Sequence, residues 1–133
     1  MRITKTGEFC AAHHLPHYQG ECANNHGHTW HYRVEIDAYA FPELLPNGIL
    51  IDFKDIEKLT RDKYNHTDLN EFFENPTCEL IALMICREIS YYDPQDKWDN
   101  ITVSIWESET ASVTVTRGDA YCFFGRNKEN ETR

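Results

Sequence analysis

Between Thr29 and Ala38 the chain alternates, with Trp30, Tyr32, Val34, Ile36 and Ala38 on one side and His31, Arg33, Glu35 and Asp37 on the other. Period two with aromatic and β-branched residues predicts a half-buried strand. Ile3 to Leu15 carries a weaker form of the pattern, placing Phe9, Ala11 and His13 on a common side. Asn100 to Trp106 predicts a third strand, where Ile101, Val103 and Ile105 alternate with Thr102 and Ser104. Ser112 to Phe124 predicts a fourth, with a turn or bulge near Gly118 and Asp119.

The spacing changes between the second and third strands. Asp52 is a good N-cap, and Phe53, Ile56 and Leu59 follow at helical intervals, predicting a helix that runs to about Tyr64. A second helix opens at Asn75-Pro76-Thr77, where proline suits the first helical position, and runs to about Ser90. Leu80, Ile81, Met84, Ile85 and Ile89 give it a wide apolar face. The order β-β-α-α-β-β predicts an α+β fold: an antiparallel four-stranded sheet with two helices inserted between strands 2 and 3. No repeat or Gly/Ser/Pro-rich linker divides the chain. Residues 1–125 read as a single domain, and Arg126 to Arg133 as a polar, frayed tail.

A chain of 133 residues suits one core. No apolar run approaches the ~20 residues of a membrane span, and the N-terminus lacks the apolar stretch of a signal peptide. A soluble, cytoplasmic protein is expected. Five cysteines (Cys10, Cys22, Cys78, Cys86 and Cys122) form no C-x-x-C pair, which argues against a disulfide framework. The net charge of −9, with no Lys/Arg cluster to offset it, argues against nucleic-acid binding.

Histidine changes the picture. Six of the seven (His13, His14, His17, His26, His28 and His31) fall within nineteen residues. In His26-Gly27-His28, an extended backbone points both imidazoles to one side. A hairpin brings His13 opposite that pair. His-x-His pairs also occur as plain surface polar residues, and His14 and His17 compete as ligands. Strand parity turns His14 away from His13, and His17 follows Pro16 in a loop, so His13, His26 and His28 are preferred. Three neutral imidazoles suit zinc, with a fourth position left for water or substrate.

Three further groups have chemical potential. Cys22 lies in a polar loop four residues before His26, where a nearby metal would favour thiolate. Cys78 and Cys86 sit on the second helix and read as inert core residues. His66, within Tyr64-Asn65-His66-Thr67-Asp68, can move protons near neutrality, and a capping or surface role fits it equally. Glu107, at a strand end, can accept paired hydrogen bonds from an amidine-like N–H pair, or stand as a solvated strand end.

Several segments resemble one family in collinear order. Phe9-Cys10-Ala11-Ala12-His13-His14-Leu15 is similar to an F-x-A-A-H-x-L opening, and Cys22 through Trp30 to a C-x-x-x-H-G-H-x-Y/W block. Gly48 to Phe53 resembles a G-x-x-x-D-F turn, and Asn75-Pro76-Thr77-Cys78-Glu79 an N-P-T-x-E helix start. The family is that of 6-pyruvoyltetrahydropterin synthase and 6-carboxytetrahydropterin synthase, whose architecture is the tunnelling fold, or T-fold. The resemblance implies zinc (Zn2+) held by His13, His26 and His28, Cys22 as base, and His66 as its acid/base partner. It further implies Glu107 as anchor of the pterin ring and Thr77 as a substrate contact. It implies a homohexamer of two stacked trimers with active sites between subunits. One departure stands out: Asn65 replaces the aspartate that usually precedes the catalytic histidine. An amide can still hydrogen-bond the ring but cannot stabilise imidazolium by charge.

The short cysteine-to-histidine spacing resembles the branch of queuosine synthesis. That branch is 6-carboxy-5,6,7,8-tetrahydropterin synthase, acting on 7,8-dihydroneopterin triphosphate. The alternatives are 6-pyruvoyltetrahydropterin synthase, a folate-precursor-forming variant that uses Glu21, and a non-catalytic zinc-dependent pterin or purine binder. The acidic net charge sits awkwardly with a triphosphate, for which the sequence displays no basic patch.

Overall fold

A computed structural model describes residues 1–45 and 47–126. In chain order the elements are β1 (Arg2–His13), β2 (His26–Asp37), α1 (Phe53–Leu59), α2 (Arg61–Tyr64) and β3 (Thr67–Asp68). They continue with α3 (Cys78–Ser90), β4 (Asn100–Ser108), β5 (Ala111–Thr116) and α4 (Arg117–Phe124). Single 3-10 turns lie at Glu21–Ala23, Phe41–Leu44 and Leu69–Glu71.

The α+β class agrees with the alternation, but the sheet has five strands rather than four, in the order β3-β1-β2-β4-β5. The fifth is β3, two residues that run parallel to β1 opposite Ala11 and Ala12. A bridge so short has no period of its own to detect. The remaining pairs are antiparallel, and β1 and β2 stay in register from Arg2↔Asp37 to His13↔His26.

A second correction concerns Ser112 to Phe124. The strand ends at Thr116, and Arg117–Phe124 forms a helix. Thr116 and Asp119 make a reciprocal capping box, each side chain bonding the other's backbone N–H. Aromatic content in Tyr121, Phe123 and Phe124 favoured strand, yet the cap and the burial of Ala120 favour helix. Arg117 anchors the turn, donating to Asp93 at 2.7 Å and to the carbonyl of Trp98.

The first predicted helix divides at Thr60, whose hydroxyl donates back to the Ile56 carbonyl at 2.8 Å and competes with the helical ladder. Asp52 caps α1 as expected, accepting from the Lys54 N–H at 2.9 Å. For α3 the cap is Thr77, so Pro76 lies just before the cap rather than at the first helical position. The polar tail beyond Arg126 lies outside the described residues.

All four helices stem from one layer over one sheet face. Phe9, Trp30, Tyr32, Val34, Ile36, Ile101, Val103 and Ile105 are buried there, with Ile81, Ile85 and Ile89 of α3 against them. The opposite face is polar and bare, with Thr4, Thr6, Glu8, Cys10, Thr29, His31 and Arg33 exposed.

Candidate metal centre

The apolar sheet face runs past the helices, and its last residues are the candidate ligands. Parity carries Phe9 and Ala11 of β1 on to His13, Trp30 of β2 back to His28 and His26, and Ile105 of β4 on to Glu107. The register sets His26 opposite His13 and His28 opposite Ala11. The three imidazole centroids are 4.6, 5.1 and 4.8 Å apart. Trp30 forms the floor, edge-on to His13 at 4.9 Å and to His28 at 5.3 Å. Its indole N–H donates to the Ala11 carbonyl at 3.2 Å, which fixes the floor to β1.

One ligating atom from each of His13, His26, His28 and Glu107 lies within 4.8 Å of the others. Two of the rings are oriented by carbonyls. His13 Nδ1 is 2.8 Å from the Pro76 oxygen, and His26 Nδ1 is 2.7 Å from the Asn24 oxygen. A carbonyl only accepts, so each Nδ1 carries the proton and each Nε2 offers a lone pair. Nε2 of His13 and of His28 are buried without a hydrogen-bond partner among the described residues. Burial pushes both rings below the ordinary histidine pKa, which favours the neutral, ligating form. Buried polar atoms left unpaired cost about 1–3 kcal/mol each, and a bound cation removes that cost. The residues present therefore fit a metal ion, and this donor set suits zinc.

The position read as open from the histidines faces Glu107. Its Oε1 lies 2.9 Å from His28 Nε2 and 3.7 Å from His13 Nε2.

The other candidates are not among these four ligand-bearing residues. Cys22 is half-buried in the 3-10 turn between the two ligand-bearing strands, and its carbonyl accepts from the Leu15 N–H at 2.8 Å. By contrast, burial pushes the thiols of Cys78 and Cys86 up to about 12, consistent with inert core residues. His66 adopts a left-handed conformation, φ 60°, and its N–H donates to the Cys10 carbonyl at 2.6 Å. The side-chain oxygen of Asn65 accepts from the Cys10 N–H at 3.0 Å, leaving its amide nitrogen for any contact with the His66 ring. The Thr77 hydroxyl caps α3 by accepting from the Leu80 N–H at 3.2 Å, next to the carbonyl that holds His13.

Sequence reasoning missed Asn70. Its side chain accepts from the His14 N–H and donates to the His14 carbonyl, pinning the chain one residue past a ligand. Nothing in the polar run from Asn65 to Asn70 marks it out, because the contact spans two distant segments.

The 6-pyruvoyl tetrahydropterin synthase family model matches residues 2–118. The chain belongs to that family. A protein of Archaeoglobus fulgidus provisionally named 6-carboxy-5,6,7,8-tetrahydropterin synthase is 33% identical over 114 residues, 76% of this chain and 95% of its own length. The 6-carboxy-5,6,7,8-tetrahydropterin synthase of Bacillus subtilis is 30% identical over 101 residues, 69% of this chain and 67% of its own. Dihydroneopterin monophosphate aldolase of Pyrococcus furiosus is 30% identical over 118 residues, 86% of this chain and 96% of its own. The 6-pyruvoyl tetrahydropterin synthase of Caenorhabditis elegans shares the fold, with a TM-score of 0.62 at 20% identity over 86% of this chain and 94% of its own. Among the described residues no helix is long and apolar enough to cross a membrane.

Proposed function

We propose that this chain is a zinc-dependent 6-carboxy-5,6,7,8-tetrahydropterin synthase that acts on 7,8-dihydroneopterin triphosphate, releasing acetaldehyde and triphosphate. The observation that carries the reading is the convergence of three imidazoles on the Trp30 floor, two with their tautomers fixed by carbonyls. Membership of the tetrahydropterin synthase family and the names of two relatives support the reaction class.

His13, His26 and His28 hold the zinc. When bound, the ion supplies a Lewis acid that polarises side-chain oxygens of the substrate. Cys22 takes a proton from the substrate side chain, and His66 handles a second transfer. General acids and bases of this kind contribute ~10²–10⁴ in rate each. Glu107 accepts the paired N–H groups of the pterin ring and sets the position of the reacting carbons. Thr77 contacts the substrate through its hydroxyl, which accepts from the Leu80 N–H and keeps its own proton to donate, while its backbone N–H and carbonyl are taken by Asn75 and Ile81. Asn65 holds the turn that presents His66, through its bond to Cys10.

The active unit is a homohexamer with sites between subunits. Cys22 and His66 are not among the four residues whose ligand atoms converge, and their approach to the site across a subunit boundary rests on the family resemblance. Among the described residues the outer edge of β1 pairs with no strand from Arg2 to Glu8, which leaves ladder groups for another strand. A cytoplasmic role in queuosine formation is part of the same proposal and is supported by the names of the two relatives alone.

A folate-precursor-forming activity is the second reading, favoured by the similarity to the Pyrococcus aldolase and by Glu21 beside Cys22 in the same turn. Comparing two variants separates them. Cys22→Ala lowers turnover by orders of magnitude on the first reading while zinc content stays intact. Loss of activity in Glu21→Ala, with Cys22→Ala near normal, would favour the second.

A further inference from the structure

We propose that Glu107 is a fourth ligand of the metal in the pterin-free protein, and that the pterin ring draws it off. This deepens the reading above, in which Glu107 anchors the ring, and it rests on that reading for the identity of the ligand. Around a tetrahedral ion with bonds of about 2.0–2.1 Å, neighbouring donor atoms lie about 3.3 Å apart. The distances from Glu107 Oε1 to His28 Nε2 and His13 Nε2, 2.9 and 3.7 Å, bracket that spacing. Direction agrees with distance. At 2.9 Å a ring N–H aimed at the carboxylate would be a hydrogen bond, yet His28 Nε2 has no aligned partner. Both atoms instead belong to the set of four ligand atoms that lie within 4.8 Å of one another, as ligands of one ion do.

The strand explains why Glu107 reaches that point. Continued alternation after Ile105 aims Glu107 at the core face, where the helical layer has ended. The register of β4 against β5 slips between Trp106 and Ser108, so Glu107 itself sits at an irregularity. Its side chain is 31% exposed, against 1% for His13, so a ligand arriving from solvent meets the carboxylate first.

The consequence is chemical. A carboxylate on the ion lowers its net charge and closes the site to water. A pterin ring offers two parallel N–H groups that engage both carboxylate oxygens and compete with the metal for Oε1. Ring binding then opens a coordination position for the substrate side chain only when substrate is present. Water-driven side reactions are suppressed in the resting protein.

The test uses the whole protein loaded with cobalt(II), whose visible bands report coordination, and pterin itself, which has no side chain to touch the metal. Wild-type bands should change as pterin saturates, with saturation followed by quenching of tryptophan fluorescence. Glu107→Gln should bind cobalt or zinc about 10- to 100-fold more weakly in chelator competition. Glu109→Gln, a nearby carboxylate outside the cluster, should bind as wild type. Matching thermal midpoints of the metal-free proteins would establish that Glu107→Gln folds. Metal affinity within twofold of wild type in Glu107→Gln would overturn the proposal. So would wild-type bands that stay fixed while the ring site fills. No triphosphate substrate enters these titrations, so failure of the proposed reaction and failure of this exchange are seen separately.

Discussion

Asn70 grips both backbone groups of His14, accepting from its N–H at 2.9 Å and donating to its carbonyl at 3.0 Å. One side chain thus replaces a stretch of strand partner at the point where β1 ends. The neighbouring residue is His13, whose ring is fixed from the same direction by the Pro76 carbonyl. The segment from Leu69 to Pro76 therefore sets both the path of the strand and the rotation of its ligand. Groups that orient metal ligands in this way commonly alter affinity by 10–100-fold when removed.

Asn70→Ala should weaken zinc binding about tenfold while leaving the sheet folded. Asn70→Asp keeps the acceptor for the His14 N–H but loses the donor to its carbonyl, so it should fall between. Chelator competition on the two variants checks the order. Wild-type affinity in both would remove Asn70 from the account.

His28→Ala should lose most of its zinc, because the ring lies among the four converging ligand atoms. His14→Ala should keep it, since Asn70 holds the backbone of that residue rather than needing its ring. Metal analysis of the purified variants decides between them. Full occupancy in His28→Ala would refute the ligand set.

Acid should destabilise the metal-free protein for a specific reason. Burial holds His13 and His28 below the ordinary histidine pKa of about 6.5, so the unfolded chain binds more protons than the folded chain just below that value. Stability from these rings is intact above about 6.5 and declines as pH falls through their folded-state values. Urea midpoints of the metal-free protein should drop between pH 7.5 and 5.5, and less steeply in His28→Ala. Zinc holds the neutral rings and should shift the decline to lower pH. A flat or opposite trend would contradict the burial argument.

Much of the site was legible because it follows from parity. Period two carried Phe9 to His13 and Trp30 to His28, and one hairpin set them opposite each other. Glu107 obeyed the same alternation, but its nearness to His28 needs the placement of β4 beside β2, which no local pattern encodes. The tautomers of His13 and His26 depend on carbonyls of Pro76 and Asn24, and every residue but its position looks alike in that respect. The helix at Arg117–Phe124 was misread where the Thr116–Asp119 box competed with aromatic strand propensity. The two residues of β3 had no pattern to give.

That box offers a test of the fold alone. Thr116→Ala should lower stability by about 1 kcal/mol through loss of the cap, with metal affinity unchanged. Thermal or urea unfolding measures the first and chelator competition the second. A loss of metal binding would mean that α4 supports the site, contrary to its placement here.

Open ladder groups on the outer edge of β1 and the bare polar sheet face should be covered in solution by other copies of the chain. Sedimentation is expected to give a hexamer. A stable monomer at working concentration would refute the composite site, and with it the roles given to Cys22 and His66.

Product analysis of the zinc-loaded protein with 7,8-dihydroneopterin triphosphate tests the central claim most directly. The account predicts 6-carboxy-5,6,7,8-tetrahydropterin with matching acetaldehyde and triphosphate, all lost when zinc is removed and regained when it is restored. Formation of 6-pyruvoyltetrahydropterin or 6-hydroxymethyldihydropterin, or no turnover by fully zinc-loaded protein, would contradict it.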